Sequence, residues 1–271
     1  MFSVRFSAAF LLAAGDSGVK PWRLFSGVVA WLFATLFAYV LNGASDVAED
    51  RLNGSGRPIA RGALRPETAR RVAWLCAGAA VLSSLGSLPL LGLLLAYLLC
   101  GFAYSAPAFS VTKRSNRTIS MILLAGALTY AAGWAASGGR HDGVPVMVFA
   151  AAMTLWMGLV GAVVKDLSDV RGDAAAGRRT SVVAWGERRA RVVCAVNPVL
   201  VGGGFLAVAL TIAPVLVLPA VMLMTGSLAV AYFSLTTTSD ERRSRSRLPY
   251  RAFMVSQYAA HLALLALALT R

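Results

Sequence analysis

The sequence predicts an all-α integral membrane protein with about nine transmembrane helices. Of its 271 residues, 58% are hydrophobic and only 14% are charged, and the mean hydropathy is +0.67, values outside the usual range of soluble domains. Apolar stretches recur that approach the roughly 20 residues needed to cross a hydrocarbon core of about 30 Å. Basic residues are concentrated in alternate connections between these stretches. Composition, length and charge pattern therefore agree on a multi-pass membrane protein.

Each predicted span is an apolar run bounded by charged or turn-forming residues. The first run is short for a full crossing, and the others are long enough. The predicted spans are about 2–15, 22–42, 70–86, 88–106, 119–136, 144–164, 190–210, 213–235 and 252–270.

The net charge of +14 would suggest nucleic acid as the partner of a soluble protein, but the positions of the charges favour the membrane. Most of the 26 Lys and Arg residues lie in four connections, namely 43–71, 112–118, 165–191 and 236–251. By the positive-inside rule, these loops and the N-terminus are cytoplasmic. We therefore expect the charge to serve topology and contact with the lipid bilayer, and we expect no nucleic acid partner.

A weak internal repeat relates the two halves of the chain. Ser45-Asp46-Val47 matches Ser168-Asp169-Val170, and Asp50 matches Asp173 at the same spacing. Both segments lie on basic connections, so the halves have the same orientation and form a parallel pseudo-repeat. This predicts one domain over 1–271, built from two four-helix groups around a central cavity, plus a ninth helix.

Each half carries an acidic row at the cytoplasmic end of an apolar span. The spacings i, i+4, i+8 and i, i+3, i+7 would place each row along one ridge of a helix. Hard oxygen ligands without His or Cys suit Mg²⁺, which is often completed by substrate phosphates. Two facing rows could hold two Mg²⁺ ions with a diphosphate between them. The candidate ligands are Asn42, Asp46, Asp50, Asp166, Asp169 and Asp173.

These motifs resemble the UbiA-type intramembrane prenyltransferases. That family has Asn-Asp-x-x-Asp-x-x-x-Asp after its second helix and Asp-x-x-Asp-x-x-x-Asp after its sixth. The second motif is matched in full by Asp166, Asp169 and Asp173. The first is matched at Asn42, Asp46 and Asp50, whereas Gly43 stands where the family often has an acid. Further matches along the chain are Arg57-Pro58-Ile59, Tyr104-Ser105 with Pro107, Lys113-Arg114, Gly177, Thr180 and Gly186.

The resemblance implies an allylic prenyl diphosphate as donor, Mg²⁺ as cofactor, and an aromatic or otherwise lipophilic acceptor. Diphosphate leaves readily only when its developing charge is neutralised. The candidate cations are Arg57, Lys113 and Arg178 or Arg179, since guanidinium and ammonium groups both bind phosphate oxygens. Asn42 and Tyr104 are further candidates for the diphosphate site. Asp166 is one candidate base for the proton that the acceptor loses, and a role as metal ligand alone is the alternative. The predicted catalytic residues are Asp166, Arg57 and Lys113.

Two alternatives stay open on the sequence alone. Some members of this superfamily resemble terpene cyclases, which ionise the same donor without an external acceptor, and the motifs do not separate transfer from cyclisation. The other alternative is an ion-coupled transporter. Transporters commonly carry charged or broken helices near the bilayer midplane, whereas the acids here lie at the cytoplasmic ends of the spans. The acid positions therefore favour the enzyme.

Overall fold

The structure is a computed structural model that describes residues 1–15, 18–52, 54–106, 115–138, 143–175 and 177–269. These residues form helices and turns, and no β-strand occurs among them. The predicted all-α fold class is therefore confirmed. The chain divides into two compact units, one made of Met1–Arg140 with Arg171–Arg178 and the other of His141–Val170 with Arg179–Arg271.

In the described part of Met1–Arg140, the first unit contains five long helices and one short one. They are α1 (Phe2–Ala14), α2 (Pro21–Ser45), α3 (Val47–Leu52), α4 (Pro66–Ser84), α5 (Leu88–Ser105) and α6 (Ser115–Ser137). Proline occupies the first turn of α2, α4 and α5, where its missing N–H costs no hydrogen bond. Helix α2 packs against α4 and α5, and α1 packs against α6.

The second unit begins with one long helix that changes its winding. It consists of α7 (Val144–Leu155), a π-helical segment (Trp156–Gly161) and α8 (Ala162–Asp166). A turn joins it to α9 (Val170–Ala175), which lies almost wholly in the segment Arg171–Arg178 of the first unit. The remaining elements are α10 (Ser181–Trp185), α11 (Glu187–Thr211), a 3-10 turn (Pro214–Leu216), α12 (Val217–Thr236), α13 (Arg243–Ser246) and α14 (Leu248–Leu269).

Seven helices in the described part of the chain are long and apolar enough to cross a membrane. They are Pro21–Ser45, Leu88–Ser105, Thr118–Ser137, Val144–Asp166, Glu187–Thr211, Pro214–Thr236 and Leu248–Ala268. The predicted count of nine is therefore not confirmed. Helix α1 has only 13 residues, and α4 carries Glu67, Arg70 and Arg71 in its first two turns.

Helices α1, α2 and α6 meet closely in the core of the first unit. The fully buried Trp31 stacks on Phe6, with ring centroids 5.8 Å apart, and its Nε1 donates to Thr129 Oγ1 at 3.1 Å. A Cβ at Gly133 would lie 2.3 Å from the carbonyl oxygen of Phe6. The absence of a side chain at this glycine therefore allows α1 and α6 to approach each other.

The π-helical segment is fixed by α11 and α14. Trp156 stacks on Phe253 with centroids 5.7 Å apart, and a Cβ at Gly161 would lie 2.3 Å from Phe253 Cζ. Asn197 Nδ2 donates to the carbonyl oxygen of Leu159 at 2.9 Å. A π-segment shifts the phase of the residues that follow it. The π-helical segment therefore changes the side of the helix on which the residues of α8, including Asp166, are placed.

Candidate active site

The first acidic row lies across a break between two helices. Asp46 is the C-terminal cap of α2, and its N–H donates to the carbonyl oxygen of Asn42 at 2.9 Å. The Asn42 side chain donates through Nδ2 to Asp46 Oδ2 at 2.8 Å. The N–H of Asp50 donates to the carbonyl oxygen of Asp46 at 2.8 Å. The three predicted ligands are therefore neighbours, although the predicted uninterrupted helical ridge is wrong because α2 ends at Ser45.

Two arginines pair with the carboxylates of this row. Arg57 Nη1 lies 2.9 Å from Asp50 Oδ2. Arg178 Nη2 lies 3.5 Å from Asp46 Oδ2 and also forms an ion pair with Glu49. The side chain of Arg178 is only 14% exposed, so water screens these pairs less than it screens surface pairs. The arginines offset the repulsion among three carboxylates that lie close together.

Glu49 was not among the predicted site residues. The available signal was its i, i+3 spacing from Asp46 within the same acidic run, which puts both side chains on one side of the chain. Its partner Arg178 lies far away in sequence, so no local pattern revealed the ion pair.

The loop after α3 brings Arg57 back to the acidic row. Ile59 is buried against Ala44 and Ala69, and Arg51 Nε donates to the carbonyl oxygen of Ala60 at 3.0 Å. A Cβ at Gly43 would meet Ile59 Cδ1 at 3.3 Å. The apolar contact of Ile59 thus fixes the Arg57-Pro58-Ile59 turn. The Ile59 side chain lies against the backbone of α2 beside Gly43.

The second acidic row also crosses a helix break, so its predicted continuous ridge is wrong as well. Helix α8 ends at Asp166, and a turn through 167–169 precedes α9. Asp166 Oδ2 accepts hydrogen bonds from the backbone N–H and Oγ of Ser181, both at 3.3 Å. The Ser168 hydroxyl, which has a single proton, lies 3.1 Å from the carbonyl oxygen of Lys165 and 3.3 Å from Asp169 Oδ1. Both carboxylates are half-buried, and the Ser181 donors orient Asp166.

Asp173 and Arg178 belong to the first unit, whereas Asp166 and Asp169 belong to the second. Asp173 is 6% exposed, and its carbonyl oxygen accepts from the backbone N–H of Arg178 at 2.9 Å. This local turn holds Arg178 on the side of the first unit that carries Asp46.

The other predicted residues have different surroundings. Tyr104 is half-buried in the last turn of α5, and Arg179 is exposed. Lys113 lies outside the described residues. Within the described ranges, no three His, Cys, Asp or Glu side chains form a group that could hold a metal ion as they stand. In the first row, the oxygens that would suit a hard cation are instead paired with Asn42, Arg57 and Arg178.

Nearly the whole sequence matches one known protein family. The model of the UbiA prenyltransferase family matches residues 3–257. The chain belongs to the UbiA prenyltransferase family. It is therefore an enzyme, a membrane prenyltransferase, and the resemblance predicted from the two motifs is confirmed.

Curated relatives and solved structures agree with this assignment. The UbiA chain is 31% identical over 195 residues to digeranylgeranylglyceryl phosphate synthase of Halobacterium salinarum, covering 72% of this chain and 67% of the relative. It is 32% identical over 197 residues to the enzyme of the same name from Natronomonas pharaonis, covering 72% and 66%.

Two solved structures are similar in fold. A UbiA homologue from Archaeoglobus fulgidus bound to GPP and Mg²⁺ superimposes with a TM-score of 0.70 at 17% identity, over 98% of this chain and 95% of that one. A structure concerned with digeranylgeranylglyceryl phosphate synthase in membranes gives 0.69 at 15% identity, over 100% and 94%.

Proposed function

We propose that this UbiA-family enzyme is Mg²⁺-dependent and transfers the prenyl group of an allylic prenyl diphosphate to a lipophilic acceptor, with release of diphosphate. The observation that carries the proposal is the cluster at the end of α2, where Asp46, Glu49 and Asp50 are paired with Arg57 and Arg178. Such a cluster offers carboxylate oxygens to a divalent cation and guanidinium groups to phosphate oxygens. The homologue bound to GPP and Mg²⁺ supports the same pairing of ligands.

The donor set fits Mg²⁺ chemically, because it consists of carboxylate and amide oxygens without thiolate or imidazole. Asp46 and Asp50 would bind the cation in the first unit, and Asp166 and Asp169 would do so in the second. Asn42 and Asp173 complete the two motifs, and we propose two ions, one for each motif. When bound, Mg²⁺ would neutralise the charge that develops on the diphosphate as the allylic C–O bond breaks.

We assign Arg57 and Arg178 a change of partner during the reaction. In this structure they neutralise Asp50, Asp46 and Glu49. When a cation takes over the carboxylates, the two guanidinium groups become available for diphosphate oxygens. Their hydrogen bonds would strengthen as the leaving group gains charge, which is the condition for transition-state stabilisation. Lys113 and Tyr104 remain our candidates for further contacts with the diphosphate.

The bond changes are those of an ionising transfer. The electron pair of the C–O bond leaves with the diphosphate, and the acceptor attacks the resulting allylic cation. The acceptor then loses a proton to a base. We propose Asp166 for this step, and its role as a cation ligand alone is the alternative. Its Oδ2 is held by Ser181, so its carboxylate has a defined orientation. The apolar helices would exclude water from the cation.

The relatives favour one class of acceptor. Their name, digeranylgeranylglyceryl phosphate synthase, describes a product in which glyceryl phosphate carries two geranylgeranyl groups. A glyceryl phosphate with one prenyl chain and one free hydroxyl is therefore the first acceptor that we propose for this chain. An aromatic acceptor is the second candidate, and it rests on the resemblance of the two motifs alone.

The decisive experiment measures products from the full chain in lipid nanodiscs. Geranylgeranyl diphosphate is supplied with a glyceryl phosphate bearing one geranylgeranyl group, with a phenolic acid, or without acceptor. We expect diphosphate release and a doubly prenylated glyceryl phosphate only in the first arm, and loss of both with EDTA. Cyclic hydrocarbon formed without acceptor would identify a terpene cyclase instead. An absence of diphosphate release in every arm would refute the proposal.

A further inference from the structure

An ion pair at the start of α11, between the buried Arg191 and the partly exposed Glu187, has no part in the site described so far. The side chain of Arg191 is 10% exposed, and its Nε lies 2.7 Å from Glu187 Oε1. Its Nη1 donates to the carbonyl oxygen of Ser234 at 3.0 Å and to Thr237 Oγ1 at 3.3 Å. Ser234 lies in the last turn of α12 and Thr237 directly follows that helix, so Arg191 ties the start of α11 to the end of α12.

The same pair is connected to the second acidic motif through one serine. The backbone N–H of Ser239 donates to Glu187 Oε1 at 2.8 Å, and Arg191 Nη2 donates to Ser239 Oγ at 3.4 Å. Ser239 Oγ in turn donates to the carbonyl oxygen of Leu167 at 3.0 Å. Leu167 lies between Asp166 and Asp169, at the break where α8 ends.

The carbonyl of Leu167 is one of those that a helix end leaves without an intrahelical partner. Its neighbours are satisfied locally, because Lys165 O accepts from Ser168 N–H and Asp166 O accepts from Asp169 N–H. Leu167 O instead depends on a side chain 72 positions away. The geometry of the turn that separates Asp166 from Asp169 is thus set partly from outside the motif.

We propose that Arg191, Glu187 and Ser239 are positioning residues for the second acidic motif. They hold the Leu167 carbonyl, and thereby keep the Asp166 and Asp169 carboxylates at the separation that a divalent cation requires. The inference rests on the proposed function, in which these two carboxylates bind Mg²⁺. None of the three positioning residues is itself a ligand.

The expected consequence is a change in cation affinity with little change in the chemical step. Without the hydrogen bonds among Arg191, Glu187, Ser239 and Leu167, the 167–169 turn must become ordered when the cation binds. The entropy lost in ordering the turn makes cation binding less favourable. Groups that orient metal ligands typically change metal affinity by about 10- to 100-fold. We expect a shift of about tenfold for Ser239→Ala and Arg191→Lys. Once the cation is saturating, kcat should stay within about threefold of wild type.

The test is hydrogen–deuterium exchange of the segment 164–170 in nanodiscs of zwitterionic lipid, with Mn²⁺ alone as the probe. In the wild-type chain, added Mn²⁺ should slow exchange of this segment. Ser239→Ala and Arg191→Lys should require about ten times more Mn²⁺ for half-maximal protection. Ser239→Thr keeps the hydroxyl and should need the wild-type concentration.

Two control variants are matched to the two changes. Arg245 forms the same i, i+4 pair with Glu241, but its side chain is 64% exposed, so Arg245→Lys should leave the protection curve unchanged. The Thr236 hydroxyl donates to the carbonyl oxygen of Tyr232 in its own helix. Thr236→Ala should therefore also leave the protection curve unchanged. Thermal unfolding of each variant separates the loss of positioning from general destabilisation.

The two proposals fail in different ways. If Asp169→Ala leaves the Mn²⁺ protection of 164–170 intact, the second acidic motif does not bind the cation. The proposed function is then wrong in its assignment of Asp166 and Asp169 as ligands. If Asp169→Ala abolishes the protection while Ser239→Ala and Arg191→Lys behave as wild type, the motif binds the cation and the positioning network does not exist.

Discussion

At the scale of single residues, the Asp46 carboxylate of the first motif contacts two other side chains, those of Asn42 and Arg178. Its Oδ2 accepts from Asn42 at 2.8 Å and lies 3.5 Å from Arg178. Asp169 has the corresponding position in the second motif, where the Ser168 hydroxyl lies 3.3 Å from its Oδ1. Because each motif contributes only a few oxygen ligands, loss of either carboxylate should leave too few to hold Mg²⁺.

We expect Asp46→Ala and Asp169→Ala each to abolish diphosphate release. Release is measured from a radiolabelled prenyl diphosphate, and gel filtration in detergent checks that the variants are folded. Glu67→Ala removes an exposed acid in the first turn of α4 and should have no effect. Near-normal turnover in either Asp variant would show that diphosphate release does not require both motifs.

Arg57 and Lys113 are expected to act on the leaving group. Loss of a donor that is needed chiefly in the transition state lowers kcat more than donor binding. Arg57→Ala and Lys113→Ala should therefore lower kcat by about 10²-fold. Arg245→Ala removes a mainly exposed charge and should have little effect. If steady-state kinetics showed the same loss for all three, the basic loops would serve membrane orientation only.

Arg178 and Arg179 are adjacent in sequence but differ in surroundings, which makes them an informative pair. Arg178 is 14% exposed and pairs with Asp46 and Glu49, whereas Arg179 is exposed. Arg178→Ala should lower kcat by about 10²-fold, and Arg179→Ala should cost less than tenfold because exposed charges interact weakly. The reverse order in a kcat measurement would assign the diphosphate cation to Arg179.

At the scale of secondary structure elements, helices occur close to all nine positions that the apolar runs predicted. Among the described residues, seven of these helices are long and apolar enough to span a membrane. The positions were predictable because a run of apolar residues is a local property. The breaks at Asp46 and at 167–169 were not, since spacing alone is compatible with a continuous helix. The π-helical segment had no sequence signal either, because it depends on the contact between Gly161 and Phe253.

The π-helical segment predicts a specific sensitivity at Gly161. A Cβ there would lie 2.3 Å from Phe253 Cζ, so Gly161→Ala should lower the free energy of unfolding by about 1–3 kcal/mol through overpacking. Adding Phe253→Leu should recover part of the loss. Gly203, in α11, has no such neighbour within 4 Å, and Gly203→Ala should be neutral or slightly stabilising. The measurement is thermal unfolding of the three variants. Equal destabilisation by Gly161→Ala and Gly203→Ala would contradict this explanation.

At the scale of the whole molecule, the basic connections predict that the loops 43–71 and 165–191 face the cytoplasm. Gly56 and Ala175 lie in these loops and are exposed. After replacement of Cys76, Cys100 and Cys194, single cysteines at Gly56 and Ala175 should react with an impermeant thiol reagent only from the cytoplasmic side. A cysteine at Gly86, between α4 and α5, is the control for the opposite side. Labelling of Gly56→Cys from outside intact cells would reverse the topology.

The sequence by itself determined the fold class, the membrane location and the family. Apolar run length, charge distribution and the two spaced acidic motifs are properties of short segments, and they do not depend on how the chain folds back on itself. Those same motifs named the candidate ligands, and the structure brings Asn42, Asp46 and Asp50 together.

Only the tertiary structure decided which groups pair. Arg178 meets Asp46 and Glu49, Ser239 reaches the carbonyl of Leu167, and Ile59 packs beside Gly43. The first two contacts join residues far apart in the chain, and the third depends on how the loop after α3 folds back onto α2. The physical reason is that ion pairs and hydrogen bonds require atoms within a few ångströms, and the packing of helices, rather than any sequence spacing, brings those atoms together.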